Sequence, residues 1–380
     1  MSIFSKTPPV ATVAINLRPR AGSWGGANQW ASQVVRWLEY NGWRAVFDLR
    51  RVPDAVIMTH TGLSSHTAFG ADEVEALKTK NPGVPCLHRI NDNDIRKESG
   101  EMDLLLARSS RVADHTVFVS EWLRDYHASK WFDVSRPHSV IVPGADPRFF
   151  HPLGGARLEP GSPLRLVTHH WSDNWNKGFD VYRDIDDLIA RRLRDKFELW
   201  VIGRWPEKLE WKSARTIGPA SGAELAGLLR QCHGYVSASR FEPGAMHVAE
   251  GLQCGLPLLY HKDSGGTVEQ GRKYGMEIFG DLARTNPRGA AHLANHLAAR
   301  AVDFPHQITA DMPRSAADSG GQSVAQSEPP PCDLSGLEAT LAEFAVRLPD
   351  LRSRLLASPP SGSKMSAEYL QLVQRLILDA

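Results

Sequence analysis

Apolar and polar positions along the chain switch between two periods many times. An apolar run over 10–17 gives way, at Ala21-Gly22-Ser23-Trp24-Gly25-Gly26, to a helical pattern over 27–40. Trp30, Val34, Trp37 and Leu38 share one face of that pattern. Asn41-Gly42 stops it, and 44–49 reads as a strand. Strand-like runs at 55–59, 84–90, 116–119 and 139–142 then alternate with helical stretches at 72–80, 102–113 and 121–129. After a loop over 143–163 the alternation restarts, with strands at 164–168, 197–202, 215–217, 234–238 and 256–261. The helices of this second run fall at 179–194, 221–231 and 243–254, and Ser221 with Glu224 reads as a capping box opening the middle one. Alternating strands and helices predict parallel sheets covered on both faces. Two such runs predict an α/β chain of two doubly wound, Rossmann-like domains, 1–155 and 156–304. Ligands of such sheets sit at the carboxyl ends of the strands, so the two domains are expected to face a central cleft.

Composition narrows the function classes. The 380 residues allow two or three domains at roughly 150 each. Lys and Arg total 44 against 43 Asp and Glu, a net charge of +1 that lacks the basic footprint of a nucleic-acid binder. No apolar run approaches the roughly 20 residues of a membrane span. Four cysteines (Cys86, Cys232, Cys254, Cys332) without a C-x-x-C pair suit a reducing compartment. With no apolar secretory core in the first nine residues, a cytoplasmic location is expected. The stretch 305–333, rich in Ser, Gln and Gly and ending near three consecutive prolines, is expected to be mobile. Helices are expected over 334–380, the last with Tyr369, Leu372, Val373, Leu376 and Ile377 on its apolar side.

Chemistry concentrates in the segment 237–257. Pro243 suits a first helical position, and Gly255 and Pro257 close the helix. The amides of Gly244, Ala245 and Met246 would then be unpaired at a helix N-terminus, a ready phosphate site. Glu242 stands just before that terminus and Glu250 two turns beyond it. A carboxylate accepts paired hydrogen bonds from vicinal hydroxyls, so the two could hold two sugars, one transferred and one a ribose. Other polar residues follow strands. His60 is placed either to face a reacting centre or to be an ordinary loop histidine, and His169 and His170 stand in the same way. Arg89, Asn91 or Asp92 either reaches an acceptor or belongs to an ordinary polar loop; the Asp-x-Asp of Asp92 and Asp94 is not expected to hold a metal. Trp24, in the glycine loop, offers a stacking face for an acceptor sugar.

The segment around Glu242 and Glu250 resembles the E-x7-E motif of retaining GT-B glycosyltransferases of the large family 4 class. Four further stretches agree in order: Gly25-Gly26-Ala27-Asn28; Phe118-Val119-Ser120-Glu121-Trp122-Leu123 with Val140-Ile141-Val142-Pro143-Gly144-Ala145-Asp146; Asn176-Lys177-Gly178-Phe179-Asp180; and Ser264-Gly265-Gly266-Thr267-Val268-Glu269. The resemblance covers residues 10 to about 280. It implies a metal-independent transfer of a sugar from a nucleotide-diphosphate donor to a hydroxyl acceptor (a glycan, a lipid-linked molecule or a small molecule), with retention. No resident cofactor is implied, since the nucleotide sugar is a co-substrate, and the only membrane contact left open is peripheral. Lys177 would neutralise the leaving diphosphate, Glu242 would bind the donor sugar and Glu250 the ribose. Gly25 and Gly26 would admit the diphosphate to the backbone. The last helix would cross back onto the first domain. One departure stands out, because Ser172 occupies the place of the usual phosphate-binding arginine. Arg204, and with it His170, is the expected source of the missing donor contacts. Alternatives of other classes are a nucleotide-sugar-processing relative such as an epimerase, and a catalytically silent nucleotide-sugar-binding protein.

Overall fold

The computed structural model describes residues 9–22, 24–59, 61–62, 66–278 and 334–380. The stretch 305–333, expected to be mobile, and the candidate His60 lie outside these residues. Twelve described strands form two sheets of six, and every pairing is parallel. The first sheet contains β1 (Thr12–Ile15), β2 (Arg44–Val46), β3 (Ala55–Met58), β4 (Cys86–Ile90), β5 (His115–Phe118) and β6 (His138–Val140), in the order β2-β1-β3-β4-β5-β6. The second contains β7 (Leu164–His170), β8 (Phe197–Gly203), β9 (Arg215–Ile217), β10 (Gly234–Ser237), β11 (Leu258–Tyr260) and β12 (Gly275–Glu277), in the order β12-β11-β10-β7-β8-β9.

Counted from its own first strand, the second sheet runs 3-2-1-4-5-6, so strand order reverses between β7 and β10. A crevice opens at such a reversal, because the connections after the two strands leave on opposite faces. The corresponding reversal in the first sheet falls between β1 and β3. Both sheets are buried on two sides, which explains strands such as Ala55–Met58 and Gly234–Ser237 with every residue buried.

Helix boundaries depart from the sequence pattern where tertiary bonds compete. The segment 243–254 yields a helix, α8 (Met246–Gln253), that starts three residues late, with Ala245 as its N-cap. Pro243 is therefore not a first helical residue. Its carbonyl is taken by Ser120 Oγ at 2.5 Å, and the Glu242 carbonyl by Gly266 N at 2.8 Å. The capping box at Ser221 does not form either. Gly222, the first residue of α7 (Gly222–Leu229), has φ +54°, and the Ser221 side chain makes no cap bond. By contrast, α1 (Gly26–Tyr40) follows the pattern closely. Trp30 is fully buried, whereas Trp37 is only half-buried and packs beside Tyr40.

The two C-terminal helices serve different sheets. Leu337, Leu341, Phe344, Leu348 and Leu351 of the helix Leu334–Ala357 join the core of the second sheet. Met365, Tyr369, Leu372 and Val373 of the helix Gly362–Asp379 join the core of the first, where Tyr369 meets Trp30 edge-on at 5.3 Å. Such an aromatic pair contributes about 1 kcal/mol beyond its burial. Gly362 N donates to Ala145 O at 3.0 Å, and Gly144 packs directly on the Ser361 backbone. The two places where the chain passes between the sheets therefore lie side by side.

Candidate functional site

A cleft of about 480 Å³ lies between the carboxyl ends of the two sheets. Its floor on the second side is built by the loop between β10 and α8. Arg240 binds Asp180 through two nitrogens, at 3.1 and 2.7 Å, and its amide donates to Asn176 O. Phe241 then takes φ +53°, a left-handed conformation that a bulky residue adopts only when its surroundings impose it. Here its amide donates to Asp263 O and its carbonyl accepts from Asn93 Nδ2. The turn aims Glu242 at Lys177, the last residue of the one-turn 3₁₀ helix Trp175–Lys177 closed by Gly178 at φ +85°. A Cβ at Gly178 would strike the Ala238 carbonyl, so this close approach of two backbones needs glycine.

Lys177 Nζ donates to Glu242 Oε1 at 2.7 Å, and both side chains are only 7 % exposed. Arg96, from the other side of the cleft, reaches Glu242 Oε2 at 3.3 Å. Burial pushes the Glu242 carboxyl up, but the charges of Arg96 and then Lys177 outweigh it and hold the group far below the usual range. Burial, and next Arg96, bring Lys177 down to about 8 against the pull of Glu242. Glu250 lies further along α8 and is paired in its turn. His169 Nε2 stands 2.8 Å from Glu250 Oε2, and His169 Nδ1 is 3.0 Å from the Tyr235 hydroxyl. Tyr235 Oη also accepts from His169 N, at 3.3 Å, so the backbone and the ring of His169 are both held by one hydroxyl.

The other predicted residues divide into three groups. Gly25, Gly26, Trp24, Arg89, Asn91, Asp92, Gly244, Met246, Glu250 and His170 all line the cleft with Glu242 and Lys177. Within this group Gly25 and Gly26 sit close to the second side: a Cβ on them would stand 3.1 Å from Trp171 Nε1 and 3.1 Å from Met246 Cβ. His170 is fixed by Thr168 and Tyr182, each at 3.0 Å, and burial, then the neighbouring His247 charge, hold it well below its ordinary value. Ala245 is buried in the core as the α8 cap. Arg204 requires a correction. It is exposed, donates to Trp171 O at 2.7 Å, lies over the Trp171 ring at 5.5 Å, and is not among the lining residues. Its amide continues the β7–β8 ladder by donating to His170 O at 2.9 Å, and Trp171 holds its side chain. Among the described residues the amides of Gly244, Met246 and His247 have no hydrogen-bond partner, and all three residues line the cleft at the start of α8.

Four of the lining residues that sequence reasoning missed make distinctive contacts. Arg20 lies 3.6 Å over the Trp24 ring, and Trp171 meets Trp24 across the cleft mouth at 5.9 Å. His247, on α8, approaches Ser237 Oγ at 3.3 Å. Arg96 sits on the short helix α3 (Asp94–Lys97), a turn too brief to show a helical period. Asp94 of the Asp-x-Asp is turned inward, accepting from Ser99 and from the amides of Met102 and Asp103. Asp92 instead pairs with Lys97 at 3.0 Å.

No protein-family model matches the chain, and no curated protein does. Solved structures do. Sucrose-phosphate synthase from Thermosynechococcus elongatus is similar with a TM-score of 0.60 at 14% identity, over 98% of this chain and 100% of that one. The catalytic domain of starch synthase IV from Arabidopsis thaliana, bound to ADP and acarbose, gives 0.57 at 10% identity, over 97% and 99%. A glycosyltransferase from Rickettsia africae gives 0.52 at 13% identity, over 97% and 99%. At these identities the likeness concerns backbone architecture: two parallel six-stranded sheets that face one another across a cleft. The chain has the GT-B fold.

Proposed function

We propose that this protein is a retaining glycosyltransferase that moves a sugar from a nucleoside-diphosphate donor to a hydroxyl acceptor bound on the first-sheet side. The observation that carries the reading is the buried group Lys177–Glu242–Arg96 set beside the unpaired amides of α8. Two cations and one carboxylate leave a surplus positive charge in a nearly dry site, which a bound diphosphate would balance. Glu242 keeps its charge and accepts from hydroxyls of the donor sugar. Glu250, steadied by His169, does the same for the ribose.

In the transfer the C1–O bond to the diphosphate breaks and its electron pair passes to the phosphate oxygen. Lys177 and the α8 amides are the preorganised donors that stabilise the growing charge on that oxygen. These groups carry out what a divalent metal does elsewhere. The acceptor oxygen bonds to C1 from the face the diphosphate leaves, and the acceptor proton goes to the leaving phosphate. Trp24, Arg89, Asn91 and Asp92 form the acceptor side. The test is single replacement of Lys177, Glu242 and Glu250 with Ala, followed by nucleoside-diphosphate release from a panel of UDP-, GDP-, ADP- and dTDP-sugars with acceptors. Transfer should fall by about two to three orders of magnitude for Lys177→Ala, and wild-type rates in all three variants would sink the reading.

A further inference from the structure

The departure at Ser172 leaves the site one arginine short of the pattern it resembles, and Arg204 faces away. The first sheet supplies a candidate. After β4 the chain runs through Asn93, α3 and Glu98, and three side chains of this stretch bind the loops that carry Glu242 and Lys177. Asn93 accepts from Arg96 N at 2.8 Å, fixing the helix that bears Arg96, and donates to Phe241 O at 3.3 Å. Glu98, itself left-handed at φ +54°, accepts from Asn176 Nδ2 at 2.9 Å, next to Lys177. Between these two anchors Arg96 Nε meets Glu242 Oε2 at 3.3 Å, with its side chain 18 % exposed and lining the cleft. Nε is the inner nitrogen of the guanidinium, and the two terminal ones make no hydrogen bond among the described residues.

We propose that Arg96 is the second cation of the diphosphate site, delivered from the acceptor-side sheet in place of the absent arginine. This rests on the glycosyltransferase reading above. One edge of the guanidinium stays on Glu242, which orients it, while the terminal nitrogens take phosphate oxygens; arginine's planar fork suits that double duty and a lysine's point charge does not. Leaving-group stabilisation is then complete only when the stretch 93–98 is seated on the loops at 176 and 241. Arg96 is a catalytic residue on this view, and Asn93 and Glu98 are positioning residues.

The experiment compares binding of UDP, GDP, ADP, CDP and dTDP, each with its own nucleoside, to the full-length wild type and to Arg96→Gln, Arg96→Met and Arg96→Lys, by titration calorimetry. A charged hydrogen bond lost on the phosphate side should lower affinity for the best diphosphate about ten- to a hundredfold in Arg96→Gln and Arg96→Met. Affinity for the nucleoside should stay within about twofold. Arg96→Lys should recover only part of the loss. Glu98→Gly removes one anchor and suits the left-handed backbone, and it should lower the diphosphate-to-nucleoside ratio by less than the Arg96 variants do. If both Arg96 variants weaken nucleoside and diphosphate equally, or neither, Arg96 is only a bridge between sheets and the inference fails while the glycosyltransferase reading stands. If wild type binds none of the five diphosphates, that reading fails and takes the inference with it.

Discussion

The two walls of the cleft hold their charges in different ways. On the second-sheet wall, polar groups are paired at short range: Glu242 with Lys177, Glu250 with the His169 ring, and Arg240 with Asp180 beneath them. On the first-sheet wall, arginines lean on aromatic rings instead, Arg20 on Trp24 at 3.6 Å and Arg89 on Trp30 at 4.5 Å. A ring supports a guanidinium without cancelling its charge. Among the described lining residues, Arg20, Arg89, Arg96, Lys97 and Lys177 outnumber Asp92, Glu242 and Glu250. The near-neutral chain thus carries a locally positive cleft, and the excess comes from the wall where rings replace carboxylates. One wall supplies most of the carboxylates, and the other supplies most of the cations.

The largest expected effect tests that balance. Removing Glu242 leaves Lys177 and Arg96 buried with no anion, so Glu242→Ala should destabilise the fold by about 3 kcal/mol. Lys177→Ala should cost less than half as much, because Glu242 keeps Arg96. Thermal unfolding of the two variants reads the difference, and equal losses would break the picture of one carboxylate shared by two cations. A smaller effect appears with pH. Lys177, lowered to about 8 chiefly by burial, is charged at pH 7 and loses its proton as pH rises through that value. Affinity for a nucleoside diphosphate should therefore be full near pH 7 and decline above pH 8, by at most about tenfold per pH unit. Lys177→Arg should abolish the decline, and a flat wild-type profile to pH 10 would assign the charge to the other wall. The smallest effect separates two serines. Ser120→Ala should cost about 1 kcal/mol, since Ser120 caps α5 (Glu121–Ala128) through Leu123 N as well as holding Pro243 O, whereas Ser221→Ala should change stability by less than half of that. Chemical denaturation midpoints measure both.

What the sequence made legible follows the range of the interactions. The alternation of elements comes from local periodicity, and eleven of the twelve described strands lie where the apolar runs predicted them, β12 being the exception at three residues. Glu242, Glu250 and Lys177 were legible because each sits in a short motif of its own. Arg96 was not, because its role depends on a partner 146 positions away on the opposite wall. Arg204 misled because the end of a strand fixes where a residue starts but not which way a long side chain turns; Trp171 decides that. His169 and His170 are adjacent in β7 and equally attractive on paper. Strand alternation sends one to Glu250 and the other to Tyr182, and only the partners tell which. The late start of α8 has the same origin, since the bonds that hold Pro243 and Glu242 outside the helix come from Ser120 and Gly266.

One feature of the backbone bears on how the cleft can change its width. The chain passes between the sheets near Gly144 and again near Ser361, and these two passages touch, joined by the bond from Gly362 N to Ala145 O. They act as two pins set in the same spot. A swing that parts the walls bends both passages at once about that point, because one bond joins them. Widening the cleft and drawing Arg96 away from Glu242 are then the same motion.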